Sequence, residues 1–450
     1  VLGGGPGGYV AAERAGSLGK RVLLIEKETI GGVCLNRGCI PTKTLLYAAK
    51  QYGFIKKAGT FGITVDNASF DLAGAMAHKT KVVAQLHKGI NSMLKRHGVE
   101  QLSGEARVLG PRRVEVSGTI YEGRNILIAT GSRPSIPPIP GIEEASVMTS
   151  REALELSEVP KSLAIIGGGY IGMEFASLFS KLGTEVTVIE VMPEIIPFLD
   201  PALAKRLRNA IDGVEYLLET RVTGVSKATV HLRSTEGKDA ILEAEKILLS
   251  AGRTPNSDQA GLAEAGVDID RQGVVVNEYM QTNLPGVYAC GDVTGRALLA
   301  HTASRMGEVA VDHMFNAGGP GGRKSHPHRM RYEAVPWVVF TSPEVAGCGL
   351  SPREAESRGH EVLTAEVPMS LSGRYLAENP GERGVAVITV EKKTHRILGV
   401  NLLGSGVSEL IHSAAVMIEQ ELRVEDIRET IFPHPTQSEV LRDALWALEI

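Results

Sequence analysis

The segment GGVCLNRGCIPTKTLLYAAK carries Cys34 and Cys39, two of the four cysteines in the chain; the others are Cys290 and Cys348. Zinc usually takes cysteines two to four residues apart with further ligands nearby. Here four residues separate the pair and no second pair follows, so no metal site is expected. An inert buried thiol pair is the bland reading, and a redox-active disulfide is the stronger one. In an ideal helix, positions i and i+5 lie roughly 8.6 Å apart at Cα, beyond the ~7 Å that a disulfide spans. A bond here needs a bent helix start, which Gly38 permits. Such a bond is expected to be strained and reducible, beside a helix N-terminus that stabilises a thiolate. Lys43 follows Cys39 by one helical turn, on the same face. A solvated helix lysine is its plainer alternative.

A second constellation is His434-Pro435-Thr436-Gln437-Ser438-Glu439. Histidine suits proton transfer to and from thiols near neutral pH, and a carboxylate can fix its tautomer. Taken alone, the segment reads equally as a helix start capped by Thr436 or Ser438. Beside a dithiol, the acid–base reading is the better one.

Such groups need a scaffold, and an internal repeat supplies it. Val1-Leu2 reads as the end of a buried strand. It leads into Gly3, Gly5 and Gly8 at GxGxxG spacing, a helix pattern to Gly19, and the strand VLLIE ending at Glu26. The same unit recurs as LAIIGGGYIG, with Gly167, Gly169 and Gly172, and as EVTVIE ending at Glu190. The first glycine and the terminal acid are each displaced by 164 residues. A lone GxGxxG is weak; strand, glycine turn, helix, strand and acid together are strong. Glycine lets the backbone approach a pyrophosphate at a helix N-terminus, and the acid accepts from a ribose diol. The alternative is two ordinary strand-to-helix turns with packing glycines.

ILIATGSRP (126–134) and ILLSAGRTPN (247–256) read as buried strands ending in similar turns. GVYACGDV (286–293) places Asp292 at a strand end, where ligands of open α/β sheets bind; a plain turn aspartate is the alternative. AGGPGGRKSHPH, 317–328, reads as a linker. Beyond it VPWVVF, VAVITV and ILGVNLLG predict an antiparallel sheet, with SELIHSAAVMIEQEL as a helix packed on it.

Composition agrees. The length of 450 residues predicts two to four domains, and a chain 43% hydrophobic builds a large core. Glycine is frequent, 51 residues against a usual ~7%. The net charge of −4 and the absence of Lys/Arg runs exclude a nucleic-acid surface. No apolar run is long enough for a membrane span, and few cysteines imply a reducing compartment, the cytoplasm. VLGGGPGGY carries no signal-peptide pattern. It opens almost inside a strand without Met, so further residues are expected before Val1.

GGGPGGY, GGVCLNRGCIPTK, ATGSRP, GGGYIGME, AGRTPN, YACGDV, LAHTA and HPTQSE follow in one order along nearly the whole chain. In this the sequence resembles the FAD-dependent pyridine-nucleotide disulfide oxidoreductases, and within them the dihydrolipoamide-oxidising branch. The resemblance implies an α/β fold with two interleaved Rossmann-like domains. Residues 1–143 and 261–316 would bind FAD, 144–260 would bind NAD, and 330–450 would form an α+β dimerisation domain. FAD would meet Gly3, Gly5, Gly8, Glu26, Lys43, Gly104, Thr130, Gly131, Ser132, Asp292, Ala300 and His301. NAD would meet Gly167, Gly169, Gly172, Glu174, Glu190, Val222 and Gly252, with Glu174 pairing Lys43. Cys34 would be the interchange thiol and Cys39 the thiol facing the flavin, with His434 the base and Glu439 its partner, both serving the other subunit of a homodimer. The implied reaction oxidises dihydrolipoamide through the disulfide and FAD, with hydride transfer to NAD⁺. The implied partners are lipoyl domains of a 2-oxo acid dehydrogenase complex or of the glycine cleavage system.

Two positions depart from the family pattern: Met306 stands where Glu is common, and Phe432-Pro433 stands where another His is common before HPT. Tyr170 resembles a nicotinamide-gating tyrosine of glutathione reductases. A glutathione-reductase-type enzyme is therefore the alternative. NADP is disfavoured, because Glu190 is followed by VMPEIIPFLD without a basic residue and the third glycine of the second turn is Gly172 rather than Ala. A mercuric reductase would need a C-terminal cysteine pair, and a small thioredoxin reductase a CxxC; neither is present. A flavin-binding module without catalysis would not need dithiol and base together.

Overall fold

Short apolar runs in this chain become parallel strands buried on both faces, and the glycines sit where those strands end. The computed structural model describes residues 1–143, 146–315 and 329–450, so the expected linker at 317–328 lies outside the described residues. The chain forms two compact units, each assembled from three segments.

The first unit comprises Val1–Thr44, Gly74–Ser135 and Gly252–Met330. Strands Val287–Ala289 and Ile126–Ile128 pair in parallel, as do Leu23–Glu26 and Glu100–Ser103. Leu2 joins the two pairs by parallel bridges to Ile128 and Ile25. Runs such as ILI and VYA are wholly buried, as strands covered on both faces must be. The helix Pro6–Ser17 begins with proline in its first turn, where no N–H partner is needed. Against it lies the helix Ala300–Phe315. A Cβ on Gly307 would stand 2.5 Å from the Gly7 carbonyl oxygen, so side chains there would hold the helices apart. Arg14 and Asp312 tie the pair at 2.9 Å. Met306 is fully buried, which accounts for an apolar residue at that position.

The second unit comprises Leu45–Ala73, Ile136–Ala251 and Arg331–Ile450. Its parallel sheet runs in the order Val214–Leu217, Glu185–Ile189, Ser162–Ile166, Lys246–Leu249, Val147–Met148. The helix Tyr170–Leu182 crosses from Ser162–Ile166 to Glu185–Ile189 and ends at Gly183 in the left-handed conformation. The C-terminal part is an antiparallel five-stranded sheet: Trp337–Val339, Glu344–Gly349, Ile397–Gly404, Val385–Glu391, Val362–Pro368. All eight residues of its central strand are buried. Helices Val407–Glu419 and Glu439–Trp446 pack on it. The three predicted strands are present. Glu344–Gly349 and Val362–Pro368 complete the sheet, and the helix stops at Glu419, short of the predicted Leu422. Among the described residues no helix is long and apolar enough to cross a membrane.

Candidate dithiol and dinucleotide sites

The two glycine turns are geometric copies. Gly3 and Gly167 have φ of +101° and +107°, and a Cβ would meet the carbonyl oxygen of Ala129 at 2.2 Å or of Ser250 at 2.6 Å. Gly8 and Gly172 admit no Cβ either, since it would stand 1.8 Å and 2.1 Å from the Gly3 and Gly167 oxygens. The middle glycines differ. Among the described residues, a Cβ on Gly5 would find only the Gly32 Cα within 4 Å, at 3.9 Å, outside its own helix and chain neighbours, and one on Gly169 would find nothing. Each caps a helix N-terminus without a side-chain hydrogen bond. Free N–H groups and an open face at a helix start fit a pyrophosphate. The acids repeat as well. Glu26 accepts from the N–H groups of Gly4 (2.6 Å) and Glu28 (2.7 Å), and Glu190 from those of Gly168 (2.7 Å) and Met192 (2.9 Å).

The dithiol segment docks on the first turn. Gly31 donates its N–H to the Gly4 oxygen at 2.7 Å, and a Cβ on Gly32 would stand 2.6 Å from the Gly5 Cα. A short helix, Gly32–Arg37, ends at Gly38, and a new helix, Cys39–Ile55, begins at Cys39. The break falls at the predicted glycine, so the two cysteines occupy different helices. Both are thiols here. The side-chain hydrogen bond with Cys39 raises the Cys34 pKa, burial and the charge of an ionised Cys39 add to it, and Lys43 opposes it. The pair therefore releases one proton far more readily than two. Burial, and then the charges of these two sulfurs, also raise the pKa of Tyr9 on the first-turn helix.

A polar cluster gathers at the strand ends of the same unit. Ser132 donates to Asp292 Oδ2 at 2.5 Å. Arg253 donates from Nε to Ser132 Oγ and from Nη2 to Ser132 O, both at 2.7 Å. Burial raises the Asp292 pKa, and Ser132 and Arg253 counter it. Asn256 donates to the Thr130 oxygen at 2.8 Å and to the Gly131 oxygen at 2.9 Å. Gly131 (φ +71°) and Gly252 (φ +99°) face open space, whereas a Cβ on Gly104 would meet Val116 at 2.6 Å. Ala300 and His301 open the helix Ala300–Phe315. Of these residues Arg253 and Asn256 were not singled out from the sequence; their signal was two polar side chains inside the AGRTPN strand-end turn.

In the second unit Glu174 is buried on the helix Tyr170–Leu182 and accepts the Phe340 N–H at 3.1 Å. Val222 lies in the apolar cluster with Ile166, Ile189 and Val230, so its side chain offers a nucleotide no polar contact. His434 Nδ1 stands 2.9 Å from Glu439 Oε1, with the histidine side chain 78% exposed and the glutamate 8%. The Thr436 N–H donates to Glu439 Oε2 at 3.0 Å. That bond, and then the one with His434, holds the Glu439 carboxyl below the usual range. With the carboxylate accepting at Nδ1–H, Nε2 carries the free lone pair, a tautomer assigned from the hydrogen bonding. Ser372 donates to the Thr436 oxygen at 2.9 Å and steadies the loop.

Residues 1–307 match the pyridine nucleotide-disulphide oxidoreductase family, and residues 335–445 match the pyridine nucleotide-disulphide oxidoreductase dimerisation domain. The chain is 41% identical to a dihydrolipoyl dehydrogenase of Thermus scotoductus, covering 100% of this chain and 96% of that one. It is 38% identical to the mitochondrial dihydrolipoyl dehydrogenase of Pisum sativum, covering 99% and 90%. Among solved structures, the Cu(II) complex of the HOCl-induced flavoprotein disulfide reductase RclA from Escherichia coli superposes with a TM-score of 0.85 at 29% identity, covering 99% of both chains.

Proposed function

The chain belongs to the pyridine nucleotide-disulphide oxidoreductase family, and we propose that it oxidises protein-bound dihydrolipoamide to lipoamide, using a Cys34–Cys39 disulfide, FAD and NAD⁺. The observation that carries this reading is the seating of the dithiol segment on the first glycine turn, where Gly32 packs on Gly5 and Gly31 bonds Gly4. A redox pair placed there adjoins the cofactor that the turn accommodates.

The first turn, Glu26, Ser132 and Asp292 would hold FAD, and the second turn with Glu190 would hold NAD⁺; residues 1–143 with 261–316 and residues 144–260 are the corresponding domains in this reading. Two-electron carriage between a dithiol and a nicotinamide is the chemistry that bound FAD supplies. The protein's own groups handle protons and sulfur. His434 Nε2 takes a proton from one substrate thiol, and the thiolate attacks Cys34 Sγ. The Cys34–Cys39 bond breaks and Cys39 leaves as a thiolate. The second substrate thiol, giving up its proton, attacks the substrate sulfur held by Cys34; the substrate leaves as a disulfide and Cys34 takes up a proton. One disulfide has formed and one has broken, leaving the enzyme pair reduced. Glu439 keeps the imidazole in the required tautomer throughout.

Residues 330–450 serve as the dimerisation domain in this reading, so the active form is a homodimer in which His434 and Glu439 act on the disulfide of the other subunit. The partner is a lipoyl domain of a 2-oxo acid dehydrogenase complex or of the glycine cleavage system, in the cytoplasm. Steady-state rates with dihydrolipoamide, glutathione disulfide and quinones, each with both nicotinamide cofactors, test the reading. Dihydrolipoamide with NAD⁺ is expected to be the fastest pair; a preference for glutathione disulfide with NADPH would replace this function with that of a glutathione-reductase-type enzyme.

A further inference from the structure

We propose that Arg253 is a positioning residue for flavin binding, acting on Asp292 through the hydroxyl of Ser132. The inference rests on the reading above that the first turn, Ser132 and Asp292 hold FAD; Arg253, which that reading counts within 144–260, belongs to the first compact unit together with them. Arg253 lies on the strand Arg253–Pro255, antiparallel to Ser132–Pro134, and its side chain is 10% exposed. Its fork grips Ser132 twice, Nε on Oγ and Nη2 on the carbonyl oxygen, each at 2.7 Å. A guanidinium has no acceptor, so the Ser132 oxygen must accept from it, and the one remaining hydroxyl proton must go elsewhere. It goes to Asp292 Oδ2 at 2.5 Å. The direction of the chain is thereby fixed: Arg253 donates to Ser132, and Ser132 donates to Asp292. Oδ2 is occupied, and Oδ1 is left to accept from a ligand hydroxyl.

Direct attraction is the smaller part, since Arg253 Nε stands 3.9 Å from Oδ2. Without Arg253 the Ser132 hydroxyl is no longer held in place, and the burial that raises the Asp292 pKa is opposed by Ser132 alone. Asp292 then holds a proton at higher pH and no longer presents two acceptor oxygens. Other charged or titratable groups on the surrounding elements include Arg133, Asp258, Asp270, Arg296, His301, Arg305 and Glu308, and Arg296 donates to the Val276 oxygen. Arg133 is engaged by Asp258, Arg305 by Glu308, and Asp270 by the N–H groups of Gln272 and Gly273.

The test is FAD titration of the flavin-stripped full-length chain by quenching of flavin fluorescence, across pH 5–8. Arg253→Met and Ser132→Ala should each weaken binding about tenfold, the worth of one charge-assisted hydrogen bond. Both should also shift the pH at which affinity falls off to a higher value than in the wild type. Arg253→Lys, which keeps the charge but not the two-pronged fork, should restore the profile in part. Adding Arg253→Met to Asp292→Asn should cost nothing further. The proposal is overturned if Arg253→Met keeps wild-type affinity and pH profile, if the double variant loses affinity additively, or if the affinity loss merely tracks a lowered melting temperature of the stripped protein. Wild-type chain that takes up no FAD at any pH would instead overturn the functional reading itself.

Discussion

Glu190 accepts the N–H of Gly168 through Oε2 at 2.7 Å. Its other oxygen accepts from Met192, so backbone donors anchor the carboxylate at the strand end while its remaining lone pairs stay available. Glu26 is held in the same way by Gly4 and Glu28. An acid so fixed suits a ribose diol and repels a 2′-phosphate. No Lys or Arg occupies 191–200, and the first basic residues beyond include Arg208, which is spent on Glu194 at 2.8 Å.

Replacing Glu190 by Gln turns one anchored acceptor into a donor facing a backbone N–H. The KM for NAD⁺ should rise about tenfold, by loss of one hydrogen bond to a charged group, and discrimination against NADP⁺ should shrink. Steady-state kinetics with both cofactors measure this; an unchanged KM would remove Glu190 from the nucleotide site.

Gly172→Ala and Gly169→Val separate packing from binding. Alanine at 172 puts a methyl 2.1 Å from the Gly167 oxygen and 2.6 Å from Ser250 Oγ, so the fold should lose about 1–3 kcal/mol by overpacking. At 169 the Cβ of a valine would meet nothing within 4 Å among the described residues. Its melting temperature should stay near wild type, while the KM for NAD⁺ rises at least about tenfold if the side chain fills the proposed phosphate face. Thermal melts beside KM values test the contrast, and the reverse pattern would refute the placement of the pyrophosphate.

The parts of the fold that could be read from the sequence are those where local chemistry decides. A buried parallel strand must be apolar, its end must turn on glycine, and the acid at the next strand end must find N–H donors. The repeat was legible for that reason, as was the helix break before Cys39. Arg253 could not be recognised in the same way, because its role depends on Ser132 and Asp292, which lie 121 and 39 residues away in the chain and meet it only after folding. The strand Glu344–Gly349 is not among the predicted ones; EVAGCG contains two glycines, which weaken a strand pattern. The structure shows why one of them is needed: a Cβ on Gly347 would stand 2.3 Å from the Trp337 ring.

The two remaining cysteines give a prediction about reactivity. Cys290 and Cys348 are buried, and burial pushes both thiols up to about 12. At pH 8 they stay protonated and inert, so iodoacetamide should label the reduced protein first within the Cys34–Cys39 peptide, and peptide mass analysis should find Cys290 and Cys348 unmodified until unfolding. The same shifts carry a sign for stability. A thiol whose folded pKa is raised stabilises the native state below the unfolded pKa, 9.0, and that contribution is lost as pH rises toward about 12. Alkaline unfolding should therefore steepen in that window, and Cys290→Ala should flatten it. Early labelling at Cys290 would contradict its burial.

The last prediction concerns the proposed base. His434 presents Nε2 to solvent because Glu439 holds Nδ1, and the Glu439 carboxyl is kept below the usual range by the Thr436 N–H and by His434. A depressed carboxyl stays ionised throughout the neutral range and gives up its charge only as pH falls through that lowered value, so the tautomer is held wherever the enzyme would work. His434→Gln should cut dihydrolipoamide oxidation by about 10²–10⁴, the usual worth of a general base. Glu439→Gln should cost less, on the order of tenfold, since it disturbs the orientation of the base and not the base itself. Cys34→Ser should abolish the same reaction. All three variants should still bind FAD and reduce quinones with NADH at rates within about threefold of wild type, because that route needs neither the dithiol nor its base. Measuring both activities on each variant separates a lost proton acceptor from a damaged fold. If His434→Gln changed dihydrolipoamide oxidation by less than threefold, the base would have to be sought elsewhere.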